Sequence, residues 1–125
     1  MTIHEAITKF MSAHRYLETP EGAYLKCDQM AYAFIRFAQD NGVEEYLQTY
    51  EFLVTEGWTS SPNPDPKTYQ LRKHDTASFS TADWHCIVEA PDFFIDFTGR
   101  QYLSTVNYPH IIQKEKAAGA AGGTW

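Results

Sequence analysis

A chain of 125 residues and 14.3 kDa is long enough to bury one real core and too short for two, and 43% hydrophobic with 15% aromatic content excludes a disordered polymer. The formal net charge of −6, from 16 Asp and Glu against 10 Lys and Arg with no basic run, argues against nucleic acid or an anionic membrane as partner. The opening MTIHEAITKFMSAHRY has neither the basic start and continuous apolar segment of a signal peptide nor the length of a membrane span. A cytoplasmic protein is expected, with Cys27 and Cys86 kept as thiols rather than as a disulfide framework.

In chain order, Ile3, Ile7, Phe10, Met11, His14 and Leu17 recur at helical spacing and predict an amphipathic helix over residues 3–17, which Thr19-Pro20-Glu21-Gly22 stops. The stripe Cys27, Met30, Ala31, Phe34, Phe37, Ala38 predicts a second helix, ending in an Asn41-Gly42 left-handed cap and placing Cys27 in its first turn on the buried side. The mixture of aromatic, β-branched and polar residues after the cap predicts a strand over residues 48–55. Residues 60–78, with three prolines in alternation, read as an exposed loop bordering whatever cleft the domain has. WHCIVEA and FFIDFT read as two strands of a hairpin with Pro91 and Asp92 in the turn, and the small-residue-rich residues 119–125 as a flexible tail to one domain over residues 1–118.

Alternation puts His85, Ile87 and Glu89 on one face of the first hairpin strand and Cys86, Val88 and Ala90 on the other. A hairpin centred between Ala90 and Pro91 pairs position 85 with position 96, so His85 and Asp96 become cross-strand neighbours. Such a pair on core strands needs a reason, because both residue types are normally excluded from a core unless something satisfies them. If the Cys27 helix packs on the face that carries the histidine, the helix N-terminus and an imidazolium both favour a nucleophilic thiolate, and Asp96 fixes the tautomer through the other ring nitrogen. Read singly, Cys27 is a small buried hydrophobe and His85 with Asp96 a structural pair; order and context turn the trio into a catalytic set.

The stretches "YLKCDQMAYAFIRFAQDNGV" and "WHCIVEAPDFFIDFTGRQY" resemble the transglutaminase-like branch of the papain-like cysteine enzymes, the second being similar to the "H…iDfT.rQ" pattern of small toxins, deamidases and phage or plasmid proteins. The resemblance covers residues 24–112. It implies an α+β, papain-like fold, with N-terminal helices on an antiparallel sheet. It also implies Cys27 as nucleophile, His85 as base and Asp96 as orienting acid in a thioester mechanism on amide bonds. Cysteine peptidase, protein deamidase and transglutaminase activities all fit, on a protein or peptide substrate, with no metal or organic cofactor. The alternative is a non-catalytic phage- or plasmid-type protein that keeps the fold and occupies a host protein.

In one respect the chain departs from papain-like proteases, which place a Gln a few residues before the Cys. Here the oxyanion donor falls to the Cys27 backbone N–H with Tyr24 or Trp84 as side-chain candidates, while Gln101 is expected to brace the Asp96 strand. Glu89 is the rival to Asp96, Asp92 a turn residue and Cys86 core. His4, His14, His74 and His110 read as surface or helix-face residues. A zinc site built from His74, His85 and the two cysteines lacks metal-ligand spacing.

Overall fold

The computed structural model describes residues 1–54, 71–73, 84–102 and 105–114. Helix α1 spans Ile3–Ala13 and begins with a reciprocal capping box: the Thr2 hydroxyl accepts from the Glu5 N–H at 3.1 Å, and the Glu5 carboxylate accepts from the Thr2 N–H at 3.0 Å. The predicted helix is not continuous to residue 17. A 3-10 turn, Arg15–Glu18, follows, and the Thr-Pro-Glu-Gly segment read as a stop instead nucleates α2, Pro20–Ala23, whose Thr19 cap accepts from the Gly22 N–H. Gly22 permits this sharp reversal, since a Cβ there would stand 1.8 Å from the Tyr16 carbonyl oxygen.

Helix α3, Cys27–Asp40, ends in a Schellman arrangement, with Val43 N–H donating to Ala38 O at 3.0 Å, Gly42 N–H to Gln39 O at 3.1 Å, and Gly42 at φ +75°. The strands are β1 (Gln48–Val54), β2 (Leu71–Lys73), β3 (Trp84–Glu89), β4 (Phe93–Asp96) and β5 (His110–Gln113), in one antiparallel sheet ordered β2-β1-β3-β4-β5. The fold class is therefore α+β. Strand β2 lies inside the segment read as a loop, because Leu71, Arg72 and Lys73 pair with the β1 edge. The rest of residues 60–78, and residues 119–125, lie outside the described residues.

Helices α1 and α3 cover one face of the sheet. Ile3, Ala6, Ile7 and Phe10 of α1 and Met30, Ala31, Phe34 and Ala38 of α3 form one core with Cys86, Val88 and Ala90 from the β3 side of the hairpin and Ile95 and Phe97 from the β4 side. Phe10 is its hub, meeting Phe34 edge-on at 5.4 Å and Phe97 at 4.8 Å. By alternation His85, Ile87, Phe94 and Asp96 belong to the opposite face, where Tyr50 meets Phe94 edge-on at 5.5 Å. This corrects the expectation that α3 packs on the histidine face. The apolar stripe of α3 seeks the all-apolar side of the hairpin, which is the Cys86 side.

Candidate functional site

The hairpin register also differs from expectation. Observed pairs are Val88 with Ile95 and Glu89 with Phe94, and Ala90 N–H donates to Phe93 O at 2.9 Å, so the hairpin is centred between Pro91 and Asp92. His85 and Asp96 are thus not directly opposite but two positions apart on one face, a diagonal that their side chains span. The His85 Nε2–H donates to Asp96 Oδ2 at 2.8 Å, and the Thr98 N–H donates to Asp96 Oδ1 at 3.0 Å. The pair is sealed, His85 being 0% and Asp96 1% exposed, with the Tyr102 ring edge-on to the imidazole at 4.9 Å.

Burial by itself would drive both groups neutral, lowering the histidine and raising the aspartate. Their mutual attraction and hydrogen bond override it, so His85 is held well above the ordinary histidine range and Asp96 below the ordinary carboxylate range. The other ring nitrogen, Nδ1, is buried and has no hydrogen bond of ordinary geometry. Besides Asp96, Cys27 also favours the charged form of the imidazole.

Cys27 stands on the α3 side, where it lines a narrow crevice with Cys86, Ile87, Ile95, Phe97 and Thr98 among others, beside the last β3–β4 pair, Val88 with Ile95. Cys27 is the first residue of α3 and half-buried, and Lys26 at the cap contributes no side-chain hydrogen bond. The neighbouring N–H groups of a helix's first turn lack intrahelical partners and present partial positive charge. The thiol itself donates to Asp28 Oδ1 at 3.7 Å. Cys86, by contrast, is buried in the core as expected, and desolvation, with the negative charge of Asp28 nearby, pushes its thiol up to about 12.

The remaining candidates separate cleanly. Glu89 sits at the far end of β3, accepting from Gln48 Nε2 at 2.6 Å and Lys114 Nζ at 2.7 Å, which removes it as a partner of His85. Asp92 is an exposed turn residue. Tyr24 is half-buried at the C-terminal cap of α2, while the side chain of Trp84 and all of His74 lie outside the described residues. Gln101 does not brace the Asp96 strand. Its Oε1 accepts from the Leu25 N–H at 3.1 Å, across 76 positions of sequence, and its Nε2 is buried without a partner.

His110 is no surface residue either. It lies buried on β5 opposite Asp96, where burial lowers its pKa and His85 adds to the lowering while Asp96 opposes it. His4 is exposed and stacks near Phe93, and His14 caps α1, half-buried, with its ring on Phe10 at 3.9 Å. Asp28, Thr98, Tyr102 and His110 were not singled out from the sequence as neighbours of the trio. The first two were legible in principle as an acidic residue beside a helix-start cysteine and an amide two residues past an aspartate.

Among the described residues no cluster of three or more His, Cys, Asp or Glu could hold a metal ion, and no helix is long and apolar enough to cross a membrane. No protein-family model, curated protein or solved structure matches the chain.

Proposed function

We propose that Cys27, His85 and Asp96 form a nucleophile, base and orienting acid for acyl transfer from amide bonds, with hydrolysis of a protein or peptide substrate as the main outcome. The observation that carries this is the division of labour on one imidazole. Nε2 is committed to a buried carboxylate, Nδ1 is left without a hydrogen bond, and the thiol that opens a 14-residue helix favours the charged form of the ring. Structural histidines usually satisfy both nitrogens when buried. The order of elements, Cys on a helix, His on β3 and Asp on β4, supports a papain-like, transglutaminase-like reading of the α+β fold, and the two thiols suit the cytoplasm.

In this reading the thiolate attacks the amide carbonyl while first-turn N–H groups of α3 stabilise the oxyanion. His85 gives its Nδ1 proton to the departing amine, leaving a thioester and a neutral ring. Water then loses a proton to Nδ1 as it attacks the thioester, and carboxylate product leaves with the thiolate restored. A domain of this size has little surface to wall off water for a second amine, which favours hydrolysis over amide transfer. Peptide bond and glutamine side-chain amide place the same carbonyl against the sulfur.

Incubating the protein with a cell lysate beside a Cys27→Ala control, and following intact masses, tests the reading: new fragments mark a peptidase, a gain of about one dalton a deamidase, a cross-linked sum a transglutaminase. Identical spectra for both proteins would favour the non-catalytic binding protein, a reading that draws on the thiol's contact with Asp28 in place of a hydrogen bond to His85.

A further inference from the structure

The turn that delivers Cys27 to α3 is strained. Leu25, two residues earlier, has φ 59°, a left-handed conformation that a leucine pays for and a glycine does not. Its side chain is 71% exposed, so apolar packing does not hold it there. The backbone does: Lys26 N–H donates to Ala23 O at 3.2 Å, and the Leu25 N–H donates to Gln101 Oε1. Gln101, 1% exposed, belongs to the 3-10 turn Gly99–Gln101 that follows the Asp96 strand. Its neighbours on both sides are anchored too. Arg100 Nη1 donates to Glu18 O at 2.7 Å, next to the α2 cap, and Tyr102 stands edge-on to His85.

We infer that Gln101 is the positioning residue of the nucleophile's turn: its buried amide oxygen holds Leu25 left-handed, and so fixes the Cys27 sulfur against the His85 ring. The inference rests on the acyl-transfer reading and deepens it. One short turn thereby registers the nucleophile segment on the strand that carries the orienting acid. Without the Gln101 acceptor the left-handed turn relaxes and the first turn of α3 swings the sulfur off Nδ1. The thiol is then more accessible but less activated.

The test is the ratio of iodoacetamide alkylation rates at Cys27, read by peptide mass, at pH 6 and pH 9, with thermal unfolding measured alongside. Accessibility alone moves both rates together; loss of the imidazolium partner lowers the pH 6 rate selectively. Gln101→Leu keeps the volume, removes the acceptor, and should lower the ratio roughly five- to tenfold, as expected for one lost hydrogen bond. Adding Leu25→Gly, which adopts the turn unaided, should recover most of it.

A folded Gln101→Leu protein with an unchanged ratio overturns the inference, as does a ratio that Leu25→Gly fails to restore. If Gln101→Leu does not fold, Leu25→Val loads the same turn from its exposed side, and an unchanged ratio there overturns it equally. An unsubstituted protein that alkylates at pH 6 no faster than a free thiol overturns the acyl-transfer reading and this inference together. A raised rate that survives Gln101→Leu removes this inference alone.

Discussion

The two faces of the β3–β4 hairpin are built on opposite principles. Facing α3, Cys86, Val88, Ile95 and Phe97 are packed apolar or thiol side chains whose contribution is transfer from water and close contact. Facing away, the same two strands bury an imidazole and a carboxylate, which costs solvation that their mutual hydrogen bond and the Thr98 N–H on Asp96 offset. The same contrast holds for the two cysteines: Cys86 is held as an inert thiol by burial, whereas Cys27 stands half-buried where α3 begins. A face built for stability alone has no need of the second arrangement, since an apolar pair of similar volume would serve as well or better.

Cutting each face separately tells the two principles apart. His85→Ala removes the principal partner of a buried carboxylate and should cost about 3–5 kcal/mol at pH 7, while Ile95→Ala on the α3 face should cost about 2–4 kcal/mol through its cavity. Denaturant unfolding at several pH values checks the distinction: the His85→Ala loss should vary with pH and the Ile95→Ala loss should not. Equal pH dependence would mean that the two faces do not differ as described.

Asp96→Asn sharpens the same point with a smaller change in stability, because burial lets a His85 without its carboxylate go neutral. The raised histidine stabilises fully below its unfolded pKa and loses that contribution as pH climbs through its folded value. The lowered aspartate stabilises above its unfolded pKa and loses it as pH falls through its folded value. The stability gap between the parent and Asp96→Asn is therefore widest between about pH 4 and 6.5, and narrows on the alkaline side. A gap that widens as pH rises above about 6.5 would contradict the assignment of charge.

The smallest expected effect is at Asp28, whose carboxylate sits on the thiol. Asp28→Asn, on an exposed position, should leave stability within about 0.5 kcal/mol. It should raise Cys27 alkylation at pH 6 by roughly two- to fivefold, by removing negative charge beside the sulfur. A lower rate would show that Asp28 assists the thiol instead.

Much of this contrast was legible in the sequence. Period-two alternation put His85 and Asp96 on one face, and because the true hairpin centre lies one residue further along, the register moved by two positions and preserved that parity. What alternation could not reveal was which face α3 would choose, since Cys27 lies at the edge of the helix's apolar stripe and both hairpin faces are rich in apolar residues. The Gln101–Leu25 bond and the burial of His110 were also invisible. Both depend on chain segments far apart in sequence, and neither leaves a local pattern. Pro20 and Gly22 look like breakers in a linear reading and are instead the first turn and the close contact of α2.

If the buried pair activates Cys27 as proposed, the rate of its alkylation by iodoacetamide from pH 5 to 10, in the parent and in Asp96→Asn, reports it. The account predicts a parent that reacts at pH 6 far faster than a free thiol, and an Asp96→Asn protein, still folded, whose low-pH reactivity falls by at least tenfold. Superimposable profiles that both follow an ordinary thiol would contradict it, and would leave His85 and Asp96 as a structural brace.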